Sequence, residues 1–269
     1  MLIRTWNVFH GNSSPPQRRA LLEEMVRLVV ADVPDVVCLQ ELPAWSLSKL
    51  GDWSGYYAAG ALAAPPKLGP LPSTAELGRT LTSIDHGLLR SAFSGQGNAI
   101  LVAPRLRVTD RHVLELNAGR FRRKQAGWLD LGLVVRLAWG KERRVCQVVR
   151  VADGARTVVV ANLHATSYPP DERLADAELL RAAVYADGIA LPDEPIVLCG
   201  DFNVTFERSR TQLDLTSADW GFSSPGAGID HIIVRGLKLE RGPERWPLER
   251  RERHGALLSD HAPVEAVVA

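Results

Sequence analysis

Short apolar runs recur along the whole sequence, and their number constrains the fold more than any other feature. Each run has the length and the β-branched or aromatic content that favours a β-strand, and patterns typical of helices stand between several of them. The fold must therefore hold many short strands together with helices. The predicted strands are LIRTWNV (2–8), DVVCLQE (35–41), NAILV (98–102), LVVRLAW (133–139), VCQVVRV (145–151), TVVVANLHAT (157–166), IVLCGDFN (196–203), IDHIIV (229–234) and APVEAVV (262–268).

Two stretches have the periodicity of amphipathic helices. In the first, from Pro15 to Ala31, Ser14 is placed to cap the helix and Pro15 suits the first turn. The predicted apolar stripe of this helix consists of Leu21, Leu22, Met25, Leu28 and Val29. The second helix covers roughly residues 171–187. Its predicted apolar face consists of Leu174, Ala177, Leu180 and Val184.

The chain is expected to form one domain over residues 1–269, because chains of this length commonly fold as a single α/β or β unit. The segment GALAAPPKLGPLPSTAELG at 60–78 is rich in Pro and Gly. We interpret it as a long surface loop and not as a linker, since strands needed for one core lie on both sides.

The composition is that of an ordinary globular protein, with 46% hydrophobic and 23% charged residues. The net charge of +1 provides no general field for a polyanion, so nucleic-acid binding would depend on local patches. The three cysteines lie in strand-like contexts, which predicts buried free thiols. The sequence shows no secretion signal and no long apolar span, so we expect a cytoplasmic protein that does not insert stably into a membrane. We also expect it to be a monomer.

Polar residues with catalytic or metal-binding chemistry stand mostly at the downstream ends of the apolar runs, while Asp230 starts one run and Asp260 and His261 come immediately before the last strand. Asp201 and Asn203 share one face by the two-residue period of a strand, as do Asn162 and His164. If these ends converge, they gather carboxylates, carboxamides and imidazoles in one place. The residues of this pattern are Asn7, Glu41, Asn162, His164, Asp201, Asn203, Asp230, Asp260 and His261.

Each of these residues also has a simple structural explanation. Asn7 could satisfy a turn, and His164 could be a hydrogen-bonded core histidine. Asp201 and Asn203 could form an Asx turn after Gly200, because both residue types bond their own backbone. Capping alone does not explain why so many separate strand ends carry acid, amide or imidazole groups.

The ordered motifs resemble those of the endonuclease/exonuclease/phosphatase superfamily, the metal-dependent phosphoesterases related to deoxyribonuclease I and the apurinic endonucleases. The resemblance covers nearly the whole chain through TWNV, the Gln40-Glu41 pair, GNAILV, NLHAT, GDFN, GIDHII and SDHAPV. It implies a four-layer α/β sandwich in which two packed, mostly antiparallel β-sheets are flanked by helices. It also implies an active site at one end of the sandwich.

The resemblance implies a role for each residue of the pattern. Mg²⁺ or Mn²⁺ would be held by Glu41, with Asn7 and Asp260 completing or orienting its shell. Asp201 would orient or deprotonate the attacking water, and Asn203 would donate to a phosphate oxygen. His261, oriented by Asp230, would contact a phosphoryl oxygen or act as an acid. His164 would be a second imidazole at the phosphate. Asn162 would bind substrate or brace its strand.

The sequence departs from the family pattern in two places. It has Asn162-Leu163-His164-Ala165 where relatives often have Asn-Thr-His-Leu, and Val102-Ala103 where Ser-Arg often follows GNAIL. An acid that pairs with the first histidine in some relatives is not identified. Glu76 and Asp85 lie in the region where it would occur.

Three functions compete at the level of substrate. The first is a nuclease acting on DNA or RNA, for which GRFRRKQ (119–125) and ERRERH (249–254) supply cations, although basic runs are commonly just solvated. The second is a phosphoesterase acting on a lipid head group, a phosphoinositide or a small phosphorylated metabolite. The third is a binding module that has lost catalysis. Core packing, and not base stacking, is the expected role of Trp6, Trp45, Trp128 and Trp139.

Overall fold

A computed structural model of the chain describes residues 1–68, 71–84, 86 and 94–269. The strands are β1 (Leu2–Asn7), β2 (Ser13–Ser14), β3 (Val36–Leu42), β4 (Tyr57–Ala64), β5 (Lys67–Leu68), β6 (Leu71–Pro72), β7 (Gln96–Val102), β8 (Arg107–Glu115), β9 (Val145–Asp153), β10 (Arg156–His164), β11 (Ile196–Asp201), β12 (Asp230–Arg235), β13 (Leu239–Arg245), β14 (Glu252–Arg253), β15 (Ala256–Leu258) and β16 (Val264–Val268). The α-helices are α1 (Leu22–Val30), α2 (Leu50–Ser54), α3 (Ala75–Thr82), α4 (Gly119–Trp128), α5 (Leu133–Trp139), α6 (Arg173–Ile189), α7 (Arg210–Leu215) and α8 (Leu248–Arg251).

Two large sheets carry most of the strands. The first sheet has the order β13-β16-β1-β3-β7-β4, and the second has the order β12-β11-β10-β9-β8. Each contains one parallel pair, β1 with β3 and β10 with β11, while its other pairs are antiparallel. The carboxyl ends of a parallel pair lie side by side, so Asn7 stands opposite Gln40 and His164 opposite Asp201.

Alternation along the strands divides their side chains between two cores. In β3, Val36 and Cys38 face the second sheet, whereas Val37 and Leu39 pack with α1 and α2 on the outer side. In β11, Val197 and Cys199 face the first sheet, and the flanking residues pack against α6. The resulting layers are helix, sheet, sheet and helix, which confirms the predicted α/β sandwich.

The stretch LVVRLAW was predicted as a strand and is instead helix α5. A short apolar run does not by its period distinguish a strand from a helix. Only Trp139 of this run is buried, where it packs with Leu174 of α6, while Leu133, Val134 and Leu137 are exposed. The prediction was wrong because the run does not belong to either sheet.

The two helix predictions need correction at the residue level. Helix α1 begins at Leu22, and Ser14 pairs with Leu257 in a small sheet instead of capping it. The predicted apolar stripe of this helix is buried, except that Leu28 is only partly buried. In α6 the predicted face is wrong, because Leu180 and Val184 are exposed. The buried face consists of Leu174, Ala175, Glu178, Leu179, Ala182, Ala183 and Ala186.

The segment at 60–78 is not one long loop. Its first residues continue β4, the strands β5 and β6 form a small two-stranded sheet, and α3 begins at Ala75. Strands β4, β8 and β13 were not predicted, because β4 is rich in alanine and glycine and the exposed faces of β8 and β13 carry many charged residues.

The predicted thiols are buried and free at Cys38, Cys146 and Cys199. Trp6 and Trp139 are buried as expected and Trp45 is partly buried, but Trp128 is 79% exposed, so its assignment to the core was wrong. Within the described ranges, no helix is both long and apolar enough to cross a membrane.

Candidate active site

The predicted site residues meet at one end of the two sheets. Asn7, His164 and Asp201 are the last residues of β1, β10 and β11. Asp230 is the first residue of the antiparallel β12 and therefore stands opposite Asp201. Gly200 allows the close approach of β10 and β11 here, since a Cβ at its φ of +134° would lie 1.9 Å from the carbonyl oxygen of Leu163.

Asp201 is the central carboxylate. Its Oδ2 accepts a hydrogen bond of 3.0 Å from Nδ2 of Asn7 and lies 3.7 Å from Nε2 of His164 and 4.0 Å from Nε2 of His261. Its Oδ1 accepts the backbone N–H of Asn203, so the Asx turn is present as well. Burial and the charge of Asp230 raise the pKa of Asp201 to about 7, which lets it exchange a proton near neutral pH.

His261 and Asp230 form a carboxylate–histidine pair. Nδ1 of His261 lies 2.9 Å and 3.1 Å from the two carboxylate oxygens of Asp230. Burial alone would lower the pKa of His261, but the hydrogen bond and charge of Asp230, with the charge of Asp201, raise it to about 10. The imidazolium therefore also carries a proton on Nε2, which lies 4.0 Å from Oδ2 of Asp201.

The loop that carries His261 is held by residues that the sequence did not identify. Oγ of Ser259 donates to the carbonyl of Asn7 at 2.7 Å and accepts the N–H of His261 at 3.1 Å. Nε1 of Trp6 donates to the carbonyl of His261, and the guanidinium of Arg251 donates to three carbonyls of the same segment. These contacts fix the approach of the imidazole to β11.

Glu41 is the penultimate residue of β3 and has a left-handed φ of 55°, at a bulge between Leu39 and Leu42 where the pairing with β7 changes register. Its two carboxylate oxygens lie 3.6 Å from Nε2 of His10 and 3.6 Å from Nε2 of His164. Burial raises the pKa of Glu41, and the charge of Arg144 and a hydrogen bond with Asn7 oppose that shift. The predicted third ligand, Asp260, is exposed at the rim.

His164 contacts Arg144 and Gln96. A nitrogen of the Arg144 guanidinium lies 3.0 Å and 3.1 Å from the two ring nitrogens, and Nε2 of Gln96 lies 3.1 Å from Nδ1. Burial, together with the positive charges of Arg144 and His261, lowers the pKa of His164 well below its ordinary value. The ring is therefore neutral at neutral pH.

Of the two candidate acid partners of His164, the structure describes only one. Glu76 is exposed on α3, and Asp85 lies outside the described residues. The carboxylates that approach this ring are those of the site itself, as given above for Asp201 and Glu41.

The two asparagines differ in what their carboxamides contact. Asn162 is fully buried, donates to the carbonyls of Leu39 and Ala99, and accepts from Gln40, so it links the two sheets. These contacts favour the bracing interpretation over substrate binding. Asn203 is partly exposed with a φ of 51°, and its Nδ2 donates to the carbonyl of Ala165.

Sequence reasoning did not identify His10, Gln96 and Arg144 as residues of the site. Each stands beside a recognised motif: His10 follows TWNV, Gln96 precedes GNAILV, and Arg144 precedes the strand that pairs with NLHAT. Proximity along the chain was the available signal. It does not say which side chains turn toward the site.

The donor set suits a divalent cation such as Mg²⁺ or Mn²⁺, which prefers oxygen ligands. Buried or partly buried oxygens come from Glu41, Asn7 and Asp201, and burial of carboxylates without a cation is costly. One donor atom from each of Asp201, Asp230 and His261 lies within 4.8 Å of the other two. The ligand roles of Glu41, Asn7 and Asp260 stay predictions.

Comparison with known proteins agrees with this fold. Residues 5–261 match the model of the Endonuclease/Exonuclease/phosphatase family, and the chain belongs to this family. Members of the family are generally phosphoesterase hydrolases and typically use divalent metals, so the chain is a phosphoesterase at the level of its superfamily. No curated protein matches the chain.

Solved structures with the same fold have low sequence identity to this chain. A functionally unknown conserved protein from Enterococcus faecalis V583 has a TM-score of 0.68 at 16% identity, and the match covers 100% of this chain and 99% of that one. An endonuclease/exonuclease/phosphatase from Beutenbergia cavernae has a TM-score of 0.64 at 18% identity, with 100% and 71% coverage. A humanized TDP2 of D. rerio has a TM-score of 0.62 at 14% identity, with 100% and 98% coverage.

Proposed function

We propose that the protein is a divalent-metal-dependent phosphodiesterase. The observation that carries this proposal is the placement of the Asp201 carboxylate between Asn7, His164 and His261, with a pKa near neutrality. A buried carboxylate beside one charged and one neutral imidazole suits proton transfer at an anionic centre.

Glu41, Asn7 and Asp260 would hold Mg²⁺ or Mn²⁺. A bound cation neutralises charge on the phosphate and polarises its oxygens. Asp201 would orient the attacking water and accept its proton. His261, kept charged by Asp230, would donate a hydrogen bond to a phosphoryl oxygen or a proton to the leaving oxygen.

Neutral His164 and charged Arg144 would contact the phosphate from the side of β10. Arg144 is buried, and its guanidinium bonds the His164 ring and the carboxylate of Glu142. A cation in this position would offset the negative charge of the substrate. The exposed side of Asn203 would add a hydrogen-bond donor.

Nucleic acid is the substrate class that the sequence favours, and the first of the two basic runs still supports it. On α4, Arg120, Arg123 and Lys124 are exposed and could contact phosphates. The second basic run gives less support, because Arg250 pairs with Asp32 and Glu265 and Arg251 is bonded to backbone carbonyls.

A phosphodiester at a lipid surface is the second substrate class, and one observation favours it. Helix α5 presents Leu133, Val134 and Leu137 to solvent, and aliphatic side chains of this kind have no role in phosphate contact.

We also propose that the protein is a monomer, that it forms a single domain and that it is cytoplasmic.

The reaction is tested with purified protein on bis(p-nitrophenyl) phosphate. We expect turnover with Mg²⁺ or Mn²⁺ and none after chelation, and we expect Asp201→Asn to lower kcat by about 10²–10⁴-fold. Glu41→Gln and His261→Asn should abolish turnover while circular dichroism remains native. Glu240→Gln, an exposed carboxylate on β13, is the control that should keep full activity.

The substrate class is tested with plasmid DNA, abasic duplex, RNA, sphingomyelin and phosphoinositides, each with Asp201→Asn as the inactive control. Hydrolysis of lipid without hydrolysis of nucleic acid would overturn the nuclease prediction. Metal-independent turnover, or full activity in Asp201→Asn, would overturn the phosphodiesterase proposal itself. Absence of turnover on every substrate would favour the binding module.

A further inference from the structure

The connection between β8 and β9, residues 116–144, lies at the active-site end of the second sheet. Strand β9 runs antiparallel to β10, with Cys146 opposite Leu163, and Glu115 of β8 pairs with Val145. The connection therefore leaves and re-enters the sheet beside His164, the last residue of β10. It contains α4 and α5, and we call it the helical platform.

Buried contacts hold the helical platform in place. Nε1 of Trp139 donates to the buried carboxylate of Glu178 at 2.6 Å. Asn117 donates to the carbonyls of Trp139 and Glu142 and accepts from the backbone of Arg144. Since Arg144 also bonds His164, the platform is joined directly to the candidate site.

The apolar face of the platform points toward solvent. Leu133, Val134 and Leu137 of α5 are 72%, 71% and 67% exposed, and Trp128 at the end of α4 is 79% exposed. At 100° per residue, the three aliphatic side chains occupy one continuous face of α5, with Trp139 on the opposite, buried side. A surface helix normally has the reverse arrangement, so this face is suited to a partner that excludes water.

The same platform carries a concentration of positive charge. Residues 116–144 contain eight Lys or Arg and two Asp or Glu, a formal charge of +6 in a chain whose total is +1. Arg120, Arg123, Lys124, Arg136 and Lys141 are exposed, and among the residues that the structure describes none of them forms an ion pair with a carboxylate. Unneutralised cations on the same connection as an exposed apolar face attract an anionic surface.

We propose that the helical platform docks the protein on an anionic lipid bilayer. Aliphatic and tryptophan side chains enter the boundary of the acyl chains while neighbouring Lys and Arg contact anionic head groups. Nucleic acid would contact the cations but would leave the aliphatic face of α5 exposed to water. A second copy would cover that face but would bring two platforms of like charge together.

Docking would place the candidate active site beside phosphodiesters at the bilayer surface. This consequence for the substrate class rests on the proposed function, whereas docking itself does not. The two are measured separately, because vesicle binding can be recorded with the inactive Asp201→Asn protein and hydrolysis of a soluble phosphodiester requires no membrane.

Vesicle flotation of the full chain tests the proposal. We expect binding to phosphatidylcholine vesicles that contain phosphatidylserine, weak binding to phosphatidylcholine alone, and loss of the difference at high salt. The triple variant Leu133→Ser, Val134→Ser, Leu137→Ser should bind at least 10-fold more weakly. Neutralising Arg120, Arg123 and Lys124 to Gln should weaken binding to the anionic vesicles by on the order of 100-fold, at about five-fold for each cation.

Two matched controls distinguish docking from misfolding. Leu191→Ser removes an aliphatic side chain that is 59% exposed in the loop before β11, at the opposite end of the sheet from the site, and should leave vesicle binding unchanged. The triple variant of Leu133, Val134 and Leu137, whose side chains have no role in phosphate contact, should hydrolyse soluble bis(p-nitrophenyl) phosphate at the rate of the unsubstituted protein.

Several results would overturn the docking proposal. One is equal vesicle binding by the Ser triple variant and the unsubstituted protein, and another is the absence of vesicle binding. A third is a dimer in sedimentation that dissociates in the Ser variant, which would assign the face to a second copy. Loss of nucleic-acid binding in the Gln variant, without any vesicle binding, would assign the cations to nucleic acid.

Discussion

At the scale of single residues, Arg144 places a buried positive charge against the ring of His164. A histidine in this position could have been a charged acid, but burial and the charge of the guanidinium lower its pKa and hold it neutral. The imidazole of His261, with Asp230 behind it, is held in the opposite charge state. Two histidines of one site therefore differ in protonation because of their neighbours.

We predict that Arg144→Gln lowers kcat/KM by about 10–100-fold, the usual worth of a hydrogen bond to a charged group. The pKa of His164 should rise toward its ordinary value, because a positive charge that opposes protonation is removed. Steady-state kinetics and the NMR titration of the ring measure both effects in one variant.

Arg143→Gln, at the exposed neighbour that pairs with Glu115, provides the matched control and should change neither quantity. Turnover that persists in Arg144→Gln while the pKa of His164 rises would show that the guanidinium acts on the ring alone.

At the scale of elements, Glu178 of α6 connects three parts of the chain. Its buried carboxylate accepts from Trp139 of α5 and from the backbone N–H and hydroxyl of Thr166, two residues after β10. The helix that covers the second sheet thus holds both the platform and the segment that follows His164. A glutamate on the buried face of a helix would otherwise be unfavourable.

We predict that the stability of the protein varies with pH through Glu178. Burial raises the pKa of this carboxyl, although hydrogen bonds from Trp139 and Thr166 oppose the shift. The folded state therefore binds the proton more tightly than the unfolded state, and the free energy of unfolding decreases as pH rises from 4.5 through the raised pKa.

Urea unfolding across this pH range should show that decrease in the unsubstituted protein and a smaller one in Glu178→Gln. Glu76→Gln, an exposed carboxylate on α3, should retain the full decrease. A slope that is identical in all three proteins would contradict the assignment to Glu178.

At the scale of the whole molecule, the first and last strands are neighbours in one sheet. Strand β1 pairs with β16, and the fully buried Arg4 of β1 bonds Glu265 of β16 and Asp32 after α1. Trp246 also donates to Glu265, and the guanidinium of Arg4 lies over its ring. This cluster fastens elements that are distant in the chain.

We predict that Glu265→Gln destabilises the protein by about 1–3 kcal/mol, because the buried Arg4 loses one of its two carboxylate partners and keeps Asp32. Burial alone would raise the pKa of Glu265, but the hydrogen bond from Trp246 and the charges of Arg4 and Arg250 lower it overall. Its contribution to stability is present above pH 4.5 and is lost as pH falls through the lowered pKa.

Denaturant unfolding at neutral and acid pH measures both parts of this prediction. The decrease in the free energy of unfolding caused by Glu265→Gln should be smaller at acid pH. Glu244→Gln, at an exposed carboxylate on β13, should change the free energy of unfolding little at either pH. A neutral-pH loss below that of ordinary surface substitutions would contradict the role of the cluster.

The sequence by itself determined most of the strands and the residue types of the site, and the order of its motifs implied the sandwich fold through a family resemblance. Continuous apolar runs marked buried strands such as β3 and β11, and polar residues at their ends marked where chemistry could occur. These signals are local, since they depend on residues only a few positions apart.

The tertiary structure alone decided what depends on distant parts of the chain. It turned LVVRLAW into a helix with an exposed apolar face, rotated the buried face of α6 away from Leu180 and Val184, and brought Arg144 and Gln96 to His164. Burial and charge then set the protonation of Asp201 and His261. The physical reason is that packing and electrostatic neighbours are three-dimensional, and a one-dimensional period does not contain them.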